Sequence, residues 1–157
     1  MRLGEGVEWS LHCLLTLGWL GSDEPVSTAK LAGIFELPPA YLNKRLQTLV
    51  RAGVLSSTPG ARGGFRLARS PEKITVMEVV AAIEGPEYAF RCTEIRQRGA
   101  GKNRPQDFQR QCVITTAMRK AELAWRRELA SQTLADLLAA APDAAAERTR
   151  DWFADIG

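Results

Sequence analysis

Residues 27–64 read STAKLAGIFELPPAYLNKRLQTLVRAGVLSSTPGARGG, and this stretch decides the fold. Leucines recur at helical spacing in two short segments, which Pro38 and Pro39 separate. The pattern predicts one helix over residues 27–36, capped by Ser27, and a second over residues 40–52. Two short helices joined by a tight turn are typical of a helix-turn-helix.

Two short strands are predicted directly after the second of these helices. Gly53 suits a left-handed helix end, and residues 54–57 and 65–68 carry strand-forming side chains. The glycine-rich residues 59–64 lie between them and predict the tip of a hairpin. A helix-turn-helix followed by such a ribbon is a winged helix-turn-helix, so we predict a mainly α fold with a small β-wing.

The predicted helices outside this stretch form a frame around it. Apolar spacing predicts a first helix over residues 7–20 and another, capped by Thr75, that reaches Glu84. A long helix over residues 106–129 carries apolar side chains on more than one face, so it needs two neighbours and is a candidate dimer interface. The predicted parts are a winged helix-turn-helix domain over 1–85, a loop over 86–105, a dimerisation helix with a short following helix over 106–141, and a tail helix over 142–157.

Composition and charge exclude several classes of protein. The chain has 157 residues, of which 45% are hydrophobic and 25% charged, as in an ordinary globular protein. The net charge of +3 is compatible with a DNA partner but does not by itself indicate one. No leader or membrane span is visible, so we expect a cytoplasmic protein without a membrane partner. We also expect no enzyme and no small-molecule substrate, because the single histidine has no nucleophile at catalytic spacing.

Polar side chains on the helix over 40–52 suit contacts with base edges and phosphates in the major groove. Arg62 precedes two glycines at the predicted wing tip, where an arginine suits a narrow minor groove. A merely solvated helix face has a similar composition, so the helix alone leaves both interpretations open. The predicted DNA contacts are Ser27, Thr28, Pro39, Ala40, Tyr41, Asn43, Lys44, Arg45, Thr48, Arg62 and Gly63.

The chain resembles the Rrf2 family of bacterial winged-helix regulators. The resemblance rests on YLNKRLQTLVRAGVLSS at 41–57, GGFRLA at 63–68 and ITVMEVVAAIEG at 74–85, and it extends from residue 1 to about 138. It implies a homodimer that binds double-stranded operator DNA and often senses iron–sulfur status, nitric oxide or redox state. The wing departs from the family pattern, which begins with ArgGly, because this chain has Pro59 and Gly60 there and its arginine at Arg62.

The cysteines indicate a sensor, but no single segment of the chain holds enough cysteines to ligate a cluster. Relatives that bind a cluster have three closely spaced cysteines after the helix that ends in GluGly, whereas this chain has Cys92 and then none until Cys112. Iron–sulfur clusters commonly need four protein ligands, so two thiolates do not suffice. Either there is no cluster, or the two thiols form a redox switch, or other side chains complete the site. Residues 93–105, which follow Cys92, are polar and predict a mobile loop.

Glu8 and His12 are candidates for the missing ligands, since residues four apart share one face of a helix. In relatives the first helix of one subunit lies near the cysteine loop of its partner. The resemblance, closest to the RsrR-type redox-sensing branch, therefore implies a [2Fe–2S] cluster held by Cys92 and Cys112 of one subunit with Glu8 and His12 of the other. His12 is equally interpretable as a plain surface residue, and Cys112 as a small core residue. The alternatives are a cluster-free thiol/disulfide switch and a cluster-storage or transfer protein.

Overall fold

The computed structural model describes residues 3–99 and 110–156, which confirm a mainly helical fold with a small wing. The elements in chain order are α1 Glu5–Leu20, α2 Thr28–Gly33, α3 Pro39–Arg51, β1 Leu55–Thr58, β2 Gly64–Leu67, α4 Val76–Glu84, α5 Val113–Ser131, α6 Leu134–Ala140 and α7 Asp143–Asp155. Short 3₁₀ turns lie at Pro71–Lys73 and Ile95–Gln97.

Helices α2 and α3 form the helix-turn-helix. The Ser27 hydroxyl accepts a hydrogen bond from the Lys30 backbone N–H at 3.2 Å, which confirms the predicted cap. Helix α2 ends at Gly33, so the prediction that it continues to residue 36 is wrong. Glu36 has a left-handed φ of 53°, and the chain turns there to deliver the proline that begins α3. Three leucines of α3 are completely buried and fix its orientation: Leu42, Leu46 and Leu49.

Strands β1 and β2 pair antiparallel, with Leu55 opposite Leu67, to form the wing. Each strand lies one residue nearer the hairpin tip than the predicted ranges 54–57 and 65–68. Phe65 also exchanges backbone hydrogen bonds with Val26, so the segment before α2 flanks the wing. Gly64 is required at this close approach, because a Cβ there would lie 2.2 Å from the Val26 carbonyl oxygen.

Helix α5 begins at Val113, so the predicted start at residue 106 is wrong for residues 110–112. Cys112 has an extended ψ of 127° and occupies the N-cap position; its carbonyl accepts the Thr116 N–H at 2.9 Å. Residues 100–109, which include part of the predicted loop and the rest of the predicted helix start, lie outside the described residues. At its other end the helix continues past residue 129 to Ser131.

The core lies between α1 and the elements packed around it. Cys13 and Leu14 of α1 are fully buried, together with leucines of α2 and α3. Helix α4 begins with the predicted Thr75 cap, where Glu78 and Thr75 bond each other's backbone N–H groups. Helix α7 lies on α1, and Arg150 Nε donates to the Trp19 carbonyl oxygen at 3.0 Å. None of the helices in the described ranges combines the length and hydropathy needed to cross a membrane.

Candidate DNA interface and cysteine site

Helix α3 and the wing enclose an open cleft of about 490 Å³, which we call the recognition cleft. Four of the predicted DNA contacts line it: Ser27, Thr28, Asn43 and Gly63. Gln47 lines it as well, although it was not among the predicted contacts. Its position four residues after Asn43 is the signal that could have identified it, since both side chains then share one helix face.

Thr28 orients Asn43 within the recognition cleft. The Thr28 hydroxyl donates to the Asn43 Oδ1 at 3.1 Å. This bond holds the amide by its oxygen, and the N–H₂ group is its donor side. An amide held on the exposed face of such a helix suits base edges in the major groove.

Other predicted contacts on α3 and at the wing tip lie outside the lining of the cleft. Pro39, Ala40, Lys44 and Arg62 are all exposed. The Thr48 hydroxyl donates to the Lys44 carbonyl at 3.0 Å and accepts from Arg51 Nη2 at 2.9 Å, so Thr48 holds an additional exposed arginine in place. Exposed cations on α3 and the wing suit phosphate contacts, which set the register of a protein on DNA.

Tyr41 and Arg45 lean toward α1 instead of the cleft. The Arg45 guanidinium lies 4.6 Å from the centre of the Tyr41 ring and donates to its hydroxyl. A Cβ added at Gly6 would lie 2.9 Å from Arg45 Nε, and that nitrogen is buried without a hydrogen-bond partner in the described chain. The Tyr41 ring in turn meets Trp9 edge-on at 5.3 Å. These two residues therefore join α3 to α1, and their contact with DNA stays a prediction.

Glu8 and His12 lie one turn apart on an exposed face of α1. The imidazole lies 5.5 Å from the Phe35 ring, at the rim of a cavity of about 380 Å³ that α7 closes with Arg148 and Trp152. The carboxylate and imidazole are thus open to a partner from outside this chain.

Cys92 and Cys112 are free thiols close to the charge of Arg96. Cys92 is exposed, and its sulfur accepts the Glu94 N–H at 3.4 Å. The pKa of Arg96 is raised, first by its ion pair with Glu94 and to a smaller extent by Cys112 and Cys92. The charge of one guanidinium therefore acts on both sulfurs.

The position of Cys112 at the start of α5 favours its thiolate. Its side chain completes no cap hydrogen bond, but the backbone N–H groups of Thr115 and Ile114 still lower the pKa of its thiol. The Thr115 hydroxyl and the Arg96 charge act in the same direction, while desolvation acts against them. A thiolate is the form that binds metal or attacks a disulfide.

The remaining cysteine belongs to the core. Cys13 is fully buried, and burial raises the pKa of its thiol to about 12. It acts as a small apolar residue and is not available as a ligand.

A single chain does not unite the four predicted ligands. Within the described parts of the chain, no three His, Cys, Asp or Glu side chains lie together in a group that could hold a metal ion. The predicted ligands therefore come from separate places in the chain: the exposed carboxylate and imidazole from α1, the Cys92 thiol from the segment after α4, and the Cys112 thiol from the N-cap of α5. Sulfur, nitrogen and oxygen donors of these kinds all bind iron, so the donor chemistry fits a cluster if two chains contribute.

Known proteins similar to this chain are transcriptional regulators. The family model described as "Rrf2: Iron-dependent Transcriptional regulator" matches residues 3–140. YffB of Lactococcus lactis, assigned to the HTH-type transcriptional regulators, is 34% identical over 137 residues, which are 87% of this chain and 86% of YffB. The protein rrf2 of Nitratidesulfovibrio vulgaris is 33% identical over 138 residues, 88% of this chain and 87% of that protein.

A solved structure gives the same fold. CymR, the global cysteine regulator of B. subtilis, matches with a TM-score of 0.67 over 90% of this chain and 99% of CymR. The two sequences are 23% identical, so this likeness concerns the fold alone.

Proposed function

We propose, because the chain belongs to the Rrf2 family of transcriptional regulators, that it is a homodimer that binds operator DNA and senses redox or nitrosative stress through a [2Fe–2S] cluster. The observation that carries the cluster proposal is the donor set: the exposed Cys92 thiol, the Cys112 thiol at the N-cap of α5, and an exposed carboxylate–imidazole pair on α1.

The recognition cleft supports DNA binding. It presents Asn43 and Gln47 beside exposed Lys44, which combines amides suited to base edges with a cation suited to phosphate. The exposed Arg62 of the wing suits an adjacent minor groove.

Helix α5 supports the homodimer. It exposes large apolar side chains that the described chain leaves uncovered: Val113 at 81%, Ile114 at 59%, Met118 at 43% and Leu123 at 47% of their surface. A surface of this kind marks an interaction site in a soluble protein. A second copy of α5 would bury these side chains, as two-fold dimers bury one patch against itself.

Cys92 and Cys112 of one subunit would hold the cluster together with Glu8 and His12 of the partner subunit, as the resemblance to the RsrR-type branch implies. When bound, the cluster supplies a one-electron change of charge between the subunits. The thiolate favoured at Cys112 and the exposure of the other three side chains suit this ligation.

The chain offers a short path from the ligands to the DNA. Glu8 and His12 flank Trp9 on α1, and Trp9 contacts Tyr41 at the start of α3. A shift of α1 on a change of redox state would therefore move the recognition helix. A free-energy difference of roughly 1–3 kcal/mol between the two states would change DNA affinity about 5- to 150-fold.

A cluster-free thiol switch is the alternative that a specific observation favours. Cys92 and Cys112 share the field of Arg96, and the lowered pKa of Cys112 favours the attacking thiolate. A disulfide between them would serve as the oxidised state.

Anaerobic purification tests these possibilities. The cluster predicts a coloured protein with iron and sulfide near two each per chain, whose binding to DNA selected from random duplexes changes after dithionite. A colourless protein whose DNA binding responds to a thiol oxidant indicates the switch. A coloured protein that binds no selected DNA in either redox state indicates cluster storage or transfer.

A further inference from the structure

Five residues form one polar stripe along α5, beginning with its N-cap. They follow each other at spacings of three and four residues, which places them on one face of the helix. The stripe consists of Cys112, Thr115, Arg119, Glu122 and Arg126. Its first member is a proposed cluster ligand, and the three that follow Thr115 are charged.

Arg126 ties the segment after α4 to the far end of this stripe. Its Nε pairs with Glu122 Oε1 at 2.8 Å, and only 9% of the Glu122 side chain is exposed. Its Nη2 donates to the carbonyl oxygens of Pro86 and Glu87 at 3.4 and 3.0 Å. Since a planar guanidinium held by a buried carboxylate is rigid, the two carbonyls are fixed against the helix.

Tyr88 extends this attachment along the stripe. The guanidinium groups of Arg119 and Arg126 lie 5.1 and 5.4 Å from the centre of its ring. The two arginines are seven residues apart on α5, so the ring bridges two helical turns.

Cys92 lies at the near end of the stripe. It lines an open cavity of about 550 Å³ together with Tyr88, Thr115 and Arg119. From Arg126 to Thr115 the helix rises about 17 Å, and the five steps along the chain from Glu87 to Cys92 span about 17 Å when extended. The segment is therefore long enough to reach the first turn of α5 with little slack.

We propose that Arg126 is a positioning residue of the sensor: by fixing Pro86 and Glu87 on α5, it places Cys92 beside Cys112. The proposal rests on the proposed sensor function and holds for either form of it, since a shared cluster and a disulfide both need these two sulfurs at one place. Arg126 touches neither sulfur and acts through the segment that it holds.

The test measures how readily the two thiols pair in the cluster-free protein. Reduced protein is equilibrated with glutathione disulfide: the two cysteine thiols are oxidised to one disulfide, and glutathione disulfide is reduced to two glutathione thiols that take up the two protons. The equilibrium constant reports the effective concentration of one thiol at the other. Peptide mass mapping confirms that the bond joins Cys92 to Cys112.

Arg126→Ala is expected to lower this constant roughly 5- to 50-fold, because the freed segment samples many more positions. Arg127→Ala removes the same charge from the exposed neighbouring position and is expected to leave the constant unchanged. Arg126→Lys keeps the charge without the planar fork and should fall between the two. An Arg126→Ala constant equal to that of the wild type, or an equal loss in Arg127→Ala, overturns the proposal.

A substitute variant and an iron analysis separate the role of Arg126 from folding and from the cluster itself. If Arg126→Ala does not fold, as judged by circular dichroism, Tyr88→Leu takes its place, and an unchanged constant in that variant also overturns the proposal. Iron analysis of the wild type is independent: absence of iron defeats the cluster, while the difference between Arg126→Ala and Arg127→Ala still decides the role of Arg126.

Discussion

The indole of Trp9 meets the phenol ring of Tyr41 edge-on, with ring centres 5.3 Å apart. Trp9 lies on α1 between Glu8 and His12, and Tyr41 lies in the first turns of the recognition helix α3. Arg45 stacks on the Tyr41 ring and packs against Gly6 of α1. This aromatic contact thus links the helix of the proposed cluster ligands to the DNA-reading helix.

Trp9→Ala is expected to reduce the difference in DNA affinity between the two redox states by about 2- to 10-fold, because an edge-to-face aromatic pair contributes about 0.5–1.5 kcal/mol beyond its burial. Fluorescence anisotropy with labelled DNA, before and after dithionite, measures this difference. Trp19→Ala, on the same helix but beside α7, is the control. An undiminished difference in Trp9→Ala contradicts the proposed path.

Lys44 and Asn43 are expected to differ in how their loss affects DNA binding. Lys44→Ala should lower the slope of log affinity against log salt by about 1, with little change in sequence preference, if Lys44 neutralises one phosphate. Asn43→Ala should keep the slope and cost about 1–3 kcal/mol at one base pair. Titrations at several salt concentrations against single-base variants of the site measure both. A loss at one base pair in Lys44→Ala, with a lowered salt slope in Asn43→Ala, would contradict these assignments.

Met118→Glu is expected to weaken the homodimer at least about tenfold, because a carboxylate buried between two apolar helices loses its hydration without a partner. Lys120→Glu changes an exposed residue two positions along α5 and serves as the control. Sedimentation equilibrium measures the dissociation constant. A dimer that tolerates Met118→Glu as well as Lys120→Glu would place the interface elsewhere.

Cys13 is expected to make the folded protein sensitive to alkali. Burial raises the pKa of its thiol in the folded chain to about 12, from 9.0 for an ordinary thiol. The unfolded chain therefore loses this proton first, so stability that is present below pH 9 decreases as the pH rises toward 12. The loss reaches roughly 4 kcal/mol.

Urea unfolding of the wild type and Cys13→Ala between pH 7 and alkaline pH measures this effect. Their difference in unfolding free energy should shrink steadily above pH 9. Two curves that stay parallel would show that Cys13 is not buried as a neutral thiol.

The local signals of the helix-turn-helix were readable from the sequence. Ser27 and Thr75 cap the predicted helices, and the leucines of α3 are buried as their spacing indicates. These features depend on contacts within a few residues, which a sequence displays directly. The exposed polar face of α3 was readable for the same reason, although its division between the cleft and α1 was not.

Features set by distant contacts were not readable. The start of α5 at Val113 was missed, because apolar spacing before it resembles that of a helix. The attachment of Pro86 and Glu87 to Arg126 joins residues about 40 positions apart, and no local pattern announces it. Glu8 and His12 could be paired with each other by helical spacing, but their relation to Cys92 and Cys112 depends on a second chain.

Mixed dimers test the shared cluster most directly. One chain carries Cys92→Ala with Cys112→Ala, the other carries Glu8→Ala with His12→Ala, and differently tagged copies are co-expressed and purified anaerobically as the heterodimer. Ligation across the subunits leaves one intact site in the heterodimer and none in either homodimer. We therefore expect visible absorption and about two iron atoms per heterodimer, with both homodimers colourless. A colourless heterodimer beside a coloured wild type, or a coloured homodimer of either variant, would contradict the shared cluster.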